Sequence, residues 1–300
     1  MRTLKEINLT HKNILMRADL DIPNNTDFFR PERMRASIDY ILAQSPKSLT
    51  LCGHRGRPAG KTNPKLSLKP VQSFFAKIYQ KRVRVLENLR FDPREETENP
   101  AFAKELGQGK DIFVQECFAT LHRKHTSVTL LPQAVPTACI GINLERELTH
   151  LNQLKTEDVK RPFVVILGGA KIETKQPLIA EFEKTANKVL LGSKYLGKAL
   201  DLDTNLIKSY QAHIKNAQTI LWNGPVGLYE KEEYATGTKA IAEAVARNCT
   251  AFKVVGGNHT IDALRAYGLL NKIDFVSTGG GAMLEYVLGH QLPGLNALQQ

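Results

Sequence analysis

Two groups of residues in this chain have the types and spacing to handle phosphate. The first pairs glycine with lysine. Gly168-Gly169-Ala170-Lys171 follows an apolar run, Lys175 stands four residues beyond Lys171, and Thr278-Gly279-Gly280-Gly281 opens a helical pattern. Glycine lets the backbone approach a phosphate, and the N-terminus of a following helix presents free N–H groups and a positive dipole end. Lysines four apart at a helix start share one face. Each motif alone is weak. Together, in one half of the chain, they point to a nucleotide.

The second group is cationic: Arg17, Arg33, His54, Arg57, Arg90, Arg123 and His125. Guanidinium groups bind phosphate or carboxylate through two parallel hydrogen bonds, so several at one place suit a compact, doubly anionic ligand. Any single arginine here reads equally well as a solvated surface charge, and His11, His213 and His290 read as ordinary loop residues. The stretch Gly56 to Thr62 only superficially resembles a phosphate-binding P-loop. Its glycines are separated by three residues where that loop has four, and Pro58 removes an N–H.

These residues need elements to carry them. Short apolar runs at 14–16, 49–52, 83–86, 112–114, 163–167, 219–222, 252–255 and 275–277 each lead into one of the polar or glycine motifs. Between them, 70–80 and 237–248 place apolar residues on one helical face. Unbroken apolar strands alternating with helices predict α/β architecture with parallel sheets covered on both faces. Ligands then bind beyond the carboxyl ends of the strands, where the motifs lie. The polar stretch 141–161, helical over 144–154, marks a boundary between two domains. The first domain spans 1–150 and the second 151–285.

Composition narrows the function further. The 300 residues carry 41 lysines and arginines against 30 acids, a net charge of +11. Residues 1–150 hold 24 bases and 16 acids (+8), and the remainder hold 17 and 14 (+3). No basic run of five occurs, so a small anionic substrate is expected in preference to nucleic acid. The four cysteines are far apart, which argues against a zinc site or a disulfide framework and for a reducing compartment, the cytoplasm. The opening MRTLKEINLTHK lacks an apolar core, and no stretch approaches about 18 apolar residues, so neither a secretory leader nor a membrane partner is expected.

The stretches RADLDIP, GHRGRPAGK, LSLKP, LENLRF, ECFATLHRKH, RPFVVILGGAKIETK, ILWNGPVGLYE, KVVGGNHT, STGGGAMLE and LPGLNAL resemble the phosphoglycerate kinase family over nearly the whole chain. The resemblance implies two Rossmann-like parallel-sheet domains facing each other across a hinge cleft, with a C-terminal segment from about 286 to 300 returning to the first. It implies a monomer that transfers phosphate reversibly between ATP and the carboxylate of 3-phosphoglycerate, with Mg2+, in glycolysis or gluconeogenesis. The ligands are then ATP or ADP and 3-phosphoglycerate or 1,3-bisphosphoglycerate. By matching motif, Asp19, Asp21, Arg33, His54, Arg57, Arg90 and Arg123 are the triose-binding set, with Arg33 meeting the transferred phosphoryl group. Lys171 and Lys175 flank the nucleotide phosphates, and Gly280 lines the transferred group. Gly169, Pro225, Glu230, Gly257, Thr260 and Gly279 complete the nucleotide set, with Glu230 the ribose-binding acid and Pro225 part of the adenine slot.

Four departures from the family pattern stand out. The chain is about a quarter shorter, with the loss placed between Gly192 and about Asp203. His259 stands where the family has an aspartate serving magnesium, which prefers oxygen ligands to imidazole, so the metal ligands stay unassigned. Asp21 replaces an asparagine; left unpaired beside an anionic ligand, it would cost about 1–3 kcal/mol. Thr174 replaces an aspartate. The alternative these departures raise is a homologue that binds anionic metabolites but transfers phosphate poorly.

Overall fold

A computed structural model describes residues 1–155, 159–169, 172–197 and 200–299, without the side chains of 172–174. Lys171, Lys198 and Ala199 lie outside the described residues, as does the side chain of Thr174. The chain forms two compact units, Met1–Leu148 with Gln291–Gln300, and Thr149–His290.

The first unit runs β1 (Asn13–Arg17), α1 (Phe29–Arg33), α2 (Arg35–Ala43), β2 (Ser48–Cys52), α3 (Lys69–Tyr79), β3 (Val83–Val85), α4 (Pro100–Gly107), β4 (Ile112–Gln115) and β5 (Thr137–Ile140) into α5 (Ile142–Asn152). Its sheet is parallel with order β3-β2-β1-β4-β5, and Ile14 pairs with Leu49 and Ile112 across the central strand. Strand β4 is buried along its whole length, as is β1 apart from Asn13, because helices cover both faces of the sheet. One face packs Ile14, Met16, Leu49 and Leu51 against Met34, Ile38, Val71 and Phe75. Each such side chain contributes about 1.5–3 kcal/mol on leaving water.

Local signals set the helix ends. Asn99 Oδ1 accepts from Phe102 N at 2.9 Å and Pro100 opens α4, a standard N-terminal arrangement. The first turn of α5 is capped from a distance instead. Buried Glu116, just past β4, accepts from the backbone N–H groups of Asn143 (2.9 Å) and Leu144 (3.0 Å) and from the Ser37 hydroxyl.

The second unit runs β6 (Phe163–Leu167), α6 (Ile172–Thr185), β7 (Lys188–Leu191), α7 (Thr204–Lys215), β8 (Thr219–Asn223), α8 (Thr236–Arg247), β9 (Phe252–Gly256), α9 (Asn258–Ala266), β10 (Phe275–Ser277) and α10 (Gly281–Val287). Its parallel sheet has the order β10-β9-β8-β6-β7. Trp222, fully buried on β8, sits in a core with Ile166, Ile220, Ile241, Val245 and Leu264. Residues 286–290 belong to this unit, where Tyr286 Oη donates to Asn152 Oδ1 at 2.8 Å and His290 Nε2 lies 2.7 Å from Glu181 Oε2. His290 is thus a loop residue whose ring is satisfied, as expected. The last helix, α11 (Pro293–Asn296), belongs to the first unit; Gly294 N donates to Leu121 O, and a Cβ on Gly294 would meet Leu121 and Val128 at 2.7 Å.

Among the described residues, all ten strands are in parallel sheets. The expected helices at 70–80, 237–248 and 144–154 form within two residues of those bounds. Strands β5 and β7 stand outside the eight expected runs: both are four-residue edge strands, only partly buried, that open on a polar residue, Thr137 and Lys188. Among the described residues, no helix is long and apolar enough to cross a membrane.

Candidate functional site

In the first unit, the loops leaving β1, β2, β3 and β4 are knitted together by the residues singled out above. Asp21 Oδ1 accepts from Gly56 N at 2.9 Å, joining the β1 and β2 loops. Arg90 Nη1 donates to Gly56 O at 2.7 Å, joining β3 to β2, and its Nε lies 3.1 Å from Glu96 Oε1. Arg17 Nη2 donates to His54 Nδ1 at 3.2 Å, and Arg17 Nε donates to Ser127 Oγ at 2.9 Å. Ser127 Oγ in turn donates to buried Glu95 at 2.6 Å.

The electrostatics are those of crowded cations. Burial and then the neighbouring Arg123 pull Arg90 down to about 10. Arg123 is lowered by burial and by Arg57. His54 falls well below its ordinary value through burial, then Arg17, Arg90, Arg30 and Arg123. His125 falls to about 3 and His122 to about 4, burial leading in both. The three histidines are therefore neutral at pH 7 and add no charge; His54 Nδ1 accepts from Arg17. Guanidiniums held this close repel one another unless an anion lies among them.

Asp19, Asp21, His54, Arg57, Arg90 and Arg123 thus come to one edge of the first sheet. Arg33 is near them on α1; its Nε donates to Asn143 Oδ1 at 3.4 Å, its guanidinium lies 5.6 Å from the Phe29 ring, and its charge is felt with that of Asp19. Two readings change. Arg17 is fully buried, with its donors given to Ser127, His54 and Ala18 O, so it braces the loops and does not face a ligand. Asp21 is not an unpaired charge, since Gly56 N–H satisfies it. Arg30, which the quoted motifs do not mark, also belongs here: its Nη1 lies 3.1 Å from both oxygens of fully buried Asp19. Its only signal was its place one helical turn before Arg33.

In the second unit the glycine loops meet around Asn223, at the end of β8. Lys175 Nζ donates to Gly168 O (2.7 Å) and Asn223 O (3.1 Å), while Asn223 Nδ2 donates to Gly280 O at 3.4 Å. Thr260 Oγ1, fully buried on α9, accepts from Gly224 N at 2.7 Å. Gly168 and Gly224 are glycine for steric reasons: a Cβ on Gly168 would meet Pro225 O at 2.0 Å, and one on Gly224 would meet Gly168 O at 2.1 Å. Gly224 and Gly257 also hold φ of +96° and +90°, where side chains are strained. Gly169 N donates to Pro225 O at 2.8 Å, and Gly279 N donates to Ser277 Oγ at 3.1 Å. Lys171 falls outside the described residues. Asn223, the hub of this arrangement, was quoted within a motif but not singled out.

Glu230 and His259 come together on the surface, with Glu230 Oε1 3.4 Å from His259 Nδ1. Asp262 is taken up by Arg265 at 3.1 Å. No group of three or more histidine, cysteine, aspartate or glutamate side chains able to hold a metal occurs among the described residues. The donor set does not fit a magnesium ion caged by the protein. That ion commonly keeps several waters and relies on substrate phosphates for its other ligands.

Two doubly wound parallel sheets, one with a cationic loop edge and one with a glycine-lined loop edge, define a two-unit α/β protein built to take anions at both. The sequence profile described as phosphoglycerate kinase matches residues 4–86, 75–196 and 194–290. The chain belongs to the phosphoglycerate kinase family. The phosphoglycerate kinase of Chlorobium phaeovibrioides is 32% identical over 394 aligned residues, covering 99% of both chains. That of Koribacter versatilis is 29% identical over 398, covering 99% of this chain and 98% of the relative. The solved phosphoglycerate kinase of Coxiella burnetii superposes with a TM-score of 0.85 at 26% identity, over 99% of this chain and 98% of that one. The Pyrococcus horikoshii phosphoglycerate kinase, at 22% identity, shares the fold with a TM-score of 0.86.

An alignment of 394 positions against 300 residues leaves at least 94 positions that this chain does not fill. The profile match restarts at two places. The junction at 194–196 lies in the segment expected to carry the shortening; that at 75–86 spans the second half of α3 and all of β3, where the sequence predicts no loss.

Proposed function

We propose that this chain carries out the reaction its family names: reversible transfer of a phosphoryl group between ATP and the carboxylate of 3-phosphoglycerate. The family and its named relatives favour this over a binding-only homologue. The observation that supports the site assignment is the crowding of Arg17, Arg90 and Arg123 around neutral His54, with Arg57 acting in turn on Arg123, an arrangement that an anion stabilises. In this reading the first unit holds 3-phosphoglycerate or 1,3-bisphosphoglycerate through Asp19, Asp21, Arg33, His54, Arg57, Arg90 and Arg123. The second holds ATP or ADP at Gly169, Lys171, Lys175, Pro225, Glu230, Gly257 and Gly279. Thr260 supports this set from beneath by fixing the Gly224 turn.

The chemistry asks little of the protein beyond position and charge. A carboxylate oxygen of the triose attacks the terminal phosphorus, a new P–O bond forms, and the bond to the ADP oxygen breaks. No general base is needed, because the carboxylate is already a nucleophile. Arg33 and Lys175 offset the charge on the equatorial oxygens, with Lys171 and the backbone at Gly280 in the same role. Magnesium travels with the nucleotide phosphates. The enzyme acts in the cytoplasm as a monomer and does not engage nucleic acid.

Purified protein assayed with MgATP and 3-phosphoglycerate tests this directly. Turnover that disappears without magnesium supports the reading, and an Arg33→Ala variant should lose roughly 10³-fold in kcat, as loss of a charge clamp does. Wild-type protein with no rate above background would refute it.

A further inference from the structure

Asn143 stands in the first turn of α5, outside every motif quoted above, and is only 4% exposed. Arg33 fixes which way its amide faces. A guanidinium can only donate, so the atom 3.4 Å from Arg33 Nε is the acceptor Oδ1, and Nδ2 points elsewhere. Nδ2 is buried and has no hydrogen-bond partner among the described residues. A buried donor without an acceptor weakens the folded state, so an apolar side chain would serve the helix better at this position. Stability does not explain the amide.

The backbone that carries it is held fast. Fully buried Glu116 accepts from Asn143 N at 2.9 Å and from Leu144 N at 3.0 Å, and Ser37 Oγ accepts from Ile142 N at 2.8 Å. A Cβ on Gly141 would collide with the Glu116 carboxylate, so glycine is what lets that acid reach the helix end. Asn143 Oδ1 is therefore a fixed acceptor for Arg33, whose guanidinium also lies 5.6 Å from the Phe29 ring. A guanidinium has two edges for paired hydrogen bonds, one made by Nε with an Nη and one made by both Nη. With Nε engaged, two-point binding of a phosphoryl group falls to the Nη pair.

We infer that Asn143 is a positioning residue, which holds Arg33 by its Nε so that the Nη edge is presented to the transferred phosphoryl group. It touches neither substrate and acts through Arg33. The inference deepens the kinase reading and rests on it for the identity of that group.

The test is steady-state kinetics and thermal melting of Asn143→Leu, which keeps the branched outline of the side chain and removes the acceptor. Its kcat should fall about tenfold, as loss of one hydrogen bond to a charged group does. The KM for 3-phosphoglycerate and for ATP should stay close to wild type, because the contact matters where charge is transferred. The melting temperature should not fall, since the unpartnered Nδ2 goes with the amide. Asn143→Asp, which keeps an acceptor in the same place, should retain more kcat than Asn143→Leu. Added to Arg33→Ala, Asn143→Leu should remove nothing further, since the two residues act as one unit.

Wild-type kcat in Asn143→Leu, an Asn143→Asp no more active than Asn143→Leu, or an undiminished effect of Asn143→Leu in the Arg33→Ala background would each overturn the inference. So would a lowered melting temperature or loss of folding in Asn143→Leu, which would make the amide a support of the fold. These outcomes leave the kinase reading standing as long as the wild-type protein turns over. A wild-type protein without turnover would overturn both.

Discussion

His54 and Arg17 share a buried hydrogen bond of 3.2 Å in which the roles are fixed. A guanidinium can only donate, so His54 Nδ1 accepts and its proton resides on Nε2. Burial and the arginines Arg17, Arg90, Arg30 and Arg123 keep the ring neutral. Nε2–H is then a standing donor among cations, able to bind a carboxylate or phosphate oxygen without adding to the repulsion between them. Under the proposed function, Arg17 serves the triose site by orienting a residue that would meet the ligand.

It follows that His54→Ala should raise the KM for 3-phosphoglycerate about tenfold, the worth of one hydrogen bond to a charged group, and leave the KM for ATP unaltered. Because the ring stays neutral in the folded state, His54 should impose no titration on kcat/KM between pH 6 and 8. A wild-type inflection in that range that vanishes in His54→Ala would contradict the assignment.

His122 and His125, lowered to about 4 and about 3, set a stability gradient. Each is neutral when folded but takes up a proton near pH 6.5 when unfolded. Unfolding therefore binds protons below pH 6.5, and stability falls as pH drops from 6.5 toward 4 for His122 and toward 3 for His125. Replacing either with glutamine should remove about one proton from the uptake on unfolding in that window. Urea melts at pH 4.5, 5.5 and 6.5 measure it; an unchanged slope in both variants would show that the rings are not held neutral.

Gly168 and Gly224 touch backbone to backbone, so neither has room for a methyl group. Gly168→Ala should destabilise the second unit by roughly 1–3 kcal/mol, the usual cost of overpacking, and move the carbonyl that anchors Lys175. ATP affinity should fall while 3-phosphoglycerate affinity is preserved. Calorimetry with each ligand separates the two, and equal loss of both would mean global unfolding instead.

His259, which by motif resemblance stands where the family has an aspartate, lies beside Glu230. His259→Asp supplies an oxygen donor of the kind magnesium prefers. Half-maximal turnover should then be reached at several-fold lower free Mg2+, with the KM for 3-phosphoglycerate unchanged. A magnesium titration of the two proteins is the measurement, and coincident curves would place metal binding elsewhere.

Much of the architecture was legible in the chain because buried parallel strands are mostly apolar. The run is unbroken over 14–16 in β1, 112–114 in β4, 163–167 in β6 and 220–222 in β8, and is interrupted by a single residue, Thr50 or Lys253, in β2 and β9. The edge strands β5 and β7 have only short runs, 138–140 and 189–191, beside Thr137 and Lys188, which a strand at the margin of a sheet tolerates. Motif order likewise identified the cationic loops of the first unit and the glycine loops of the second.

What each cation does was decided by tertiary structure alone. Arg17, Arg30 and Arg90 are the same residue type in similar sequence surroundings, yet one braces loops, one clasps Asp19, and one crowds Arg123. Asp21 looked like an uncompensated charge until Gly56 N–H and Arg30 came near it from residues 35 and 9 positions away. Apolar periodicity reports burial, which is averaged over a whole element and so survives in one dimension. The role of a charge depends on the few groups within about 4 Å of it, and those are brought together only when the chain folds.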